Sequence, residues 1–200
     1  MDFALAALTF GLVAGLKPGP LGVLVIHETM AKGNLQGFMA SLAPLLTDGP
    51  IIVLALLLTL QLNDLNWFIS IISIIGSAYL VRISYQILRA PNSINPTSQV
   101  DSKASLVAAV KINFLNPAPY IFWLTIGTSY ILMGSELEVA IFIACALLSL
   151  CATKFIVAVT IKNLGEKFSP KVYATILKSL SLPLLLFSAQ LLYSGVTAWI

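Results

Sequence analysis

Charge is what this sequence has least of. Charged residues make up 10% of its 200 positions, against 58% that are apolar. An ordinary soluble domain carries about a quarter charged residues, and a soluble core of this size could not hide so much apolar surface. Histidine occurs once and cysteine twice, so no convergent set of ligands is available to build a metal centre. Cys145 and Cys151 share one apolar run, six positions apart. On a helix that is a rise of about 9 Å with the side chains on different faces, too far to bridge. A thiol electron relay needs a cysteine on each of two facing helices, which this arrangement does not offer. The formal excess of +3 is small and no basic stripe with interleaved aromatics occurs, which argues against a nucleic-acid partner. No enzymatic activity and no cofactor are expected. A cleavable secretory signal is not expected either: the second residue is Asp2 and the first apolar run continues past any cleavage site, so the N-terminus is expected to be retained.

What the chain has in quantity is long apolar runs. They fall at about 3–26, 36–60, 65–89, 105–131, 136–161 and 174–199, each long enough to cross a bilayer with some tilt. The expected fold is therefore an all-α integral membrane protein of six transmembrane helices, with the lipid bilayer as its surroundings. A polar, proline-bearing stretch from Ala90 to Gln99 divides it into halves of three spans. Its Asn95-Pro96-Thr97 triplet is no glycosylation acceptor, because proline holds the middle position. Nine of the eleven basic residues lie on one side: Lys32, then Arg82, Arg89, Lys103 and Lys111, then Lys162, Lys167, Lys171 and Lys178. The other side shows Asp2, Asp64, Glu136 and Glu138. The basic loops are expected in the cytoplasm and both termini outside it.

Three spans per half is an odd number, so the second half must enter the membrane in the opposite sense. This is a 3+3 inverted-topology repeat, with repeat 1 at about 1–89, a cytoplasmic loop at 90–104 and repeat 2 at about 105–200. Lys17-Pro18-Gly19-Pro20 in the first span has a counterpart 99 positions on, Asn116-Pro117-Ala118-Pro119 in the fourth. Each element removes backbone donors and opposes helical geometry, so helices 1 and 4 are expected to be broken. Freed backbone groups at membrane depth are tolerated where protein or a water-filled cavity satisfies them, and facing broken helices point to a transporter's binding site.

Three ionisable residues fall inside spans, each costing about 2.5–3.5 kcal/mol at a helix centre on insertion scales: Lys17, Asp48 and Lys154. A buried Asp–Lys pair fixing the packing would lower both penalties. Alternatively Asp48 is a proton or substrate-ammonium site and a lysine meets a substrate carboxylate. Which lysine Asp48 faces stays open, and its offset from Lys154 is 106 positions rather than 99, so symmetry does not pair them. His27 and Glu28 fall at the cytoplasmic end of span one, where His27 reads as interfacial. Gly33 and Gly37 form a small-xxx-small pair that suggests close helix packing. Tyr79, Trp67, Trp123, Tyr193 and Trp199 read as interfacial belt or core residues.

With these elements in place, the chain resembles the LysE/RhtB-type amino-acid exporters over nearly its whole length. The likeness rests on Gly15-Leu16-Lys17-Pro18-Gly19-Pro20 in the first span, on Gly33, Gly37 and Asp48 in the second, and on Asn113-Phe114-Leu115-Asn116-Pro117-Ala118 in the fourth. Ala43 and Thr47 stand where the family usually has glycines, and Ala118 where a lysine is usual. The resemblance implies a single LysE-type transmembrane domain in a bacterial inner membrane that exports an amino acid, driven by the proton gradient. The expected substrate-binding or coupling residues are Asp48, Lys17, Lys154, Pro18, Gly19, Pro20, Asn113, Asn116 and Pro117, and a homo-oligomer is a further partner the sequence allows. Two alternatives are an inorganic-ion exporter of the same clan, for an anion rather than a metal cation, and a nontransporting assembly factor.

Overall fold

A computed structural model describes residues 3–17, 19–61, 66–89, 102–165, 167 and 170–197. Asp2, Pro18, Asp64, the loop segment 90–101 and Trp199 lie outside the described residues, as do the side chains of Trp67 and Lys171. Every described element is helical. The first expected span falls on α1 (Phe3–Leu16) and α2 (Pro20–Lys32), bent by 66° where the first proline element interrupts it. Gly33, at φ +114°, turns the chain into α3 (Asn34–Ser41), and Gly37 lies flush against Thr29, where a Cβ would overlap its hydroxyl. A single turn residue, Leu42, separates α3 from α4 (Ala43–Gln61). After α5 (Asn66–Arg89) come α6 (Ser102–Phe114), α7 (Pro117–Phe122), a π-helical turn (Trp123–Gly127) and α8 (Thr128–Met133). The chain closes with α9 (Glu136–Gly165), α10 (Pro170–Ser179) and α11 (Ser181–Thr197).

By length and hydropathy, Asn34–Leu57 and Glu136–Gly165 are the two described helices that could each cross a membrane, and the bent pair α1–α2 would make a third. The other expected spans coincide with α5, with α6 to α8, and with α10 and α11. The fourth is divided into pieces of 13, 6, 5 and 6 residues, each short of the roughly 20 a crossing needs. The surface carries large apolar side chains in the open, among them Leu132, Leu137, Leu148, Ile156 and Leu186, all at least 60% exposed. A soluble monomer rarely tolerates such a surface, whereas hydrocarbon solvates it.

Small residues set the closest helix contacts, as expected where lipid removes the usual hydrophobic drive. On α1, Gly11 and Gly15 lie against α9, where added Cβ atoms would overlap Ser149 Oγ and the Thr153 side chain. On the opposite pairing, α5 meets α11 through Ser77 and Ser188, whose hydroxyls are 3.0 Å apart, and through Ser70, which donates to the Gly195 carbonyl. α6 packs against both α3 and α4. An aromatic cluster of Phe3, Tyr120, Trp123 and Phe142 fills one end of the core, with Tyr130 stacked on Phe142 at 4.6 Å.

Candidate functional site

Asp48 sits in α4 two residues before Pro50, whose ring disfavours the helical bond to the Leu46 carbonyl and loosens the turn that carries the aspartate. The side chain is 3% exposed. Its Oδ1 accepts from Asn113 Nδ2 at 3.0 Å and lies 3.0 Å from the Thr47 hydroxyl, while Oδ2 accepts from the Trp123 indole at 2.9 Å. Asn113 Nδ2 also reaches Thr47 Oγ1 at 2.6 Å. Three elements therefore converge on one carboxylate: α4, the last turn of α6, and the π-turn. All three donors are neutral, and among the described residues no cationic side chain lies within ion-pair distance of Asp48.

Trp123 continues α7 and is the first residue of the π-turn. Bonding from i to i+5 admits an extra residue into the turn, a distortion that recurs at functional sites. Thr128, five residues on, donates its hydroxyl to the Trp123 carbonyl at 2.5 Å. The indole is 1% exposed, so Trp123 belongs to the core and not to an interfacial belt.

Both proline elements interrupt their helices, and each break resolves its loose backbone groups differently. In the first, α2 begins with Pro20 at its first position, preceded by the extended Gly19 (φ −165°, ψ 169°), with no side chain capping it. Lys17, at the end of α1, is exposed. Lys154, on α9, is 7% exposed, and its Nζ donates to the Ala14 carbonyl at 3.1 Å. In the second break, Asn116 caps α7, accepting the Ala118 amide on Oδ1 at 3.1 Å, with Pro117 following at the first helical position. The Phe114 carbonyl, which that amide would have served in an unbroken helix, accepts instead from the Tyr120 hydroxyl at 2.8 Å. Pro20 and Asn116 line one narrow crevice together with Tyr79 and Leu115, so the two breaks face each other.

Of the sequence-predicted residues, Asp48 and Asn113 come together directly, while Gly19, Pro20, Asn116 and Pro117 form the two breaks. Lys17 and Lys154 belong to the first break, and neither is paired with Asp48 among the described residues. Two partners of Asp48, Thr47 and Trp123, were not anticipated as such. A second buried carboxylate also stands out. Glu28, 3% exposed at the far end of α2, pairs with Lys32 at 2.7 Å, lies 3.4 Å from His27 Nδ1, and accepts from Ser105 at the start of α6.

A family model described as LysE type translocator matches residues 12–195. No curated protein and no solved structure matches the chain significantly.

Proposed function

Because the chain belongs to the LysE type translocator family, whose members are transporters of small solutes and not enzymes, we propose that it exports an amino acid or similar small zwitterion across a bacterial inner membrane in exchange for protons. The observation that carries this reading is Asp48: a carboxylate held out of water by neutral donors from three helical elements. A buried charge without a counter-ion is costly. It invites either a proton or a substrate ammonium, which are the two species a proton-coupled amino-acid exporter must handle. In this reading Asn113 and Asn116 are polar ligands, and the breaks at Lys17, Pro18, Gly19 and Pro20 and at Pro117 shape the cavity between the halves. Lys154 keeps the first break electropositive.

Six spans in a 3+3 inverted repeat, both termini outside the cytoplasm, are part of the same proposal. The helix pairings support it. A two-fold axis in the membrane plane exchanges spans 1 and 4, 2 and 5, and 3 and 6. It therefore turns the α1–α9 contact, spans 1 and 5, into the contact of α3 and α4 with α6, spans 2 and 4. The α5–α11 contact, spans 3 and 6, maps onto itself. All three pairings occur.

The test is uptake of a labelled amino-acid panel into proteoliposomes holding the purified protein under an imposed pH gradient, with Asp48→Asn as control. Gradient-dependent accumulation of one amino acid, abolished in the variant, is the expected result. Silence across the panel from folded, inserted protein would shift the reading to an inorganic anion. Activity surviving Asp48→Asn would remove the aspartate from the coupling role.

A further inference from the structure

In a continuous helix the Ala14 carbonyl would accept from the amide four residues on. That residue is Pro18, which has no N–H. The first break therefore leaves this acceptor without its regular helical donor, at the negative end of a 14-residue helix. The donor that meets it is the Lys154 ammonium, at 3.1 Å, from a helix 140 positions away in sequence. Its place is prepared from two sides. Gly11 and Gly15 bring α1 flush against α9, and Gly22 in α2 borders the ammonium, where a Cβ would stand in ordinary contact, 3.6 Å from Nζ.

Broken-helix transporters commonly hold a free cation at such half-helix carbonyl ends. We infer that Lys154 is this cation built into the chain: a positioning residue that completes the carbonyl end of α1 and makes a bound alkali ion unnecessary there. The lysine thereby serves the break and leaves the charge of Asp48 to the transported species. Its role as a positioning group rests on geometry alone; its consequence for coupling rests on the transporter reading above.

A double-mutant cycle in the full-length protein, purified in detergent, separates the possibilities. Pro18→Ala returns an amide to the position that should serve the Ala14 carbonyl. Lys154→Met is expected to lower the apparent thermal midpoint by about 5–10 °C when Pro18 is present, and by less than half of that in the Pro18→Ala background. Equal losses in the two backgrounds would overturn the assignment. If Lys154→Met cannot be recovered folded, Lys154→Gln, which keeps a donor and loses the charge, enters the same cycle with the same criterion. In Lys154→Ala, methylammonium chloride at tens of millimolar should restore part of the lost midpoint and leave the parent unchanged; no recovery counts against a cation site. Transport by the parent protein should persist when sodium is replaced by choline, and its loss would overturn the built-in cation while sparing the transporter reading. Absence of transport altogether would strike that reading and leave the stability cycle standing as its own test.

Discussion

Glu28 and Asp48 are hidden from solvent to the same degree, 3% exposed each, yet their surroundings are opposite. Glu28 has a cation one helical turn away in Lys32 and a histidine beside it, and it ties α2 to α6 through Ser105. Asp48 has three dipoles and no counter-ion among the described residues. A carboxylate whose charge is already matched has little to gain from a proton or a ligand and acts as a fixed tie. One solvated only by neutral donors keeps its net charge and stays responsive to whatever cation arrives. In the proposed reading, burial is therefore not what sets Asp48 apart from Glu28; the sign and number of their neighbours are.

Substitutions at both sites can break or sharpen this contrast. The largest effect is expected from Asp48→Asn, which should reduce gradient-driven transport to background while the protein still inserts and purifies. Trp123→Phe keeps a ring in the core and removes the indole donor. A hydrogen bond to a charged group is worth about 1.5–3 kcal/mol, so transport should fall roughly tenfold or more, and the midpoint of unfolding should drop by several degrees. Glu28→Gln should leave transport within about twofold of the parent and lower the thermal midpoint by a few degrees; a loss of transport as complete as that of Asp48→Asn would erase the distinction. The smallest effect on transport is expected from Lys32→Met, which should leave it at the parent's level; the 30% exposed ammonium is partly screened by water, but its loss leaves the buried Glu28 without its lysine, so the midpoint should still fall by several degrees.

Much of the frame was legible in the sequence. The proline elements located both helix breaks, and the position of Asp48 within an apolar run marked it out. Asn113, read from the fourth-span motif, does reach Asp48. The partners that complete the site were harder to see. Thr47 drew notice only as a departure from glycine, and its hydroxyl proves to lie beside the aspartate. Trp123 could have been separated from the belt residues by its place well inside the fourth span. Its contact with Asp48 is a tertiary one, and no periodicity in the sequence announces the π-turn that begins there. Lys154 and Asp48 were visible as two buried charges, but their separation across helices is a tertiary quantity that spacing along the chain does not contain. Two local signals went unread: Glu28 and Lys32, an i,i+4 pair of opposite sign, and Gly11 with Gly15, a small-xxx-small stripe of the kind noted at Gly33 and Gly37.

The bond from Lys154 to the Ala14 carbonyl also sets a clock on biosynthesis. The two residues are 140 positions apart, and chains elongate at roughly 5–20 residues per second, so something like 7–28 s pass after the first half-helix is made before its capping lysine exists. For that interval the nascent break must be sheltered by the insertion machinery, by lipid headgroups or by trapped water. The first break is thus an early product that only a late one completes, and a ribosome stalled before α9 emerges would leave it without its capping lysine.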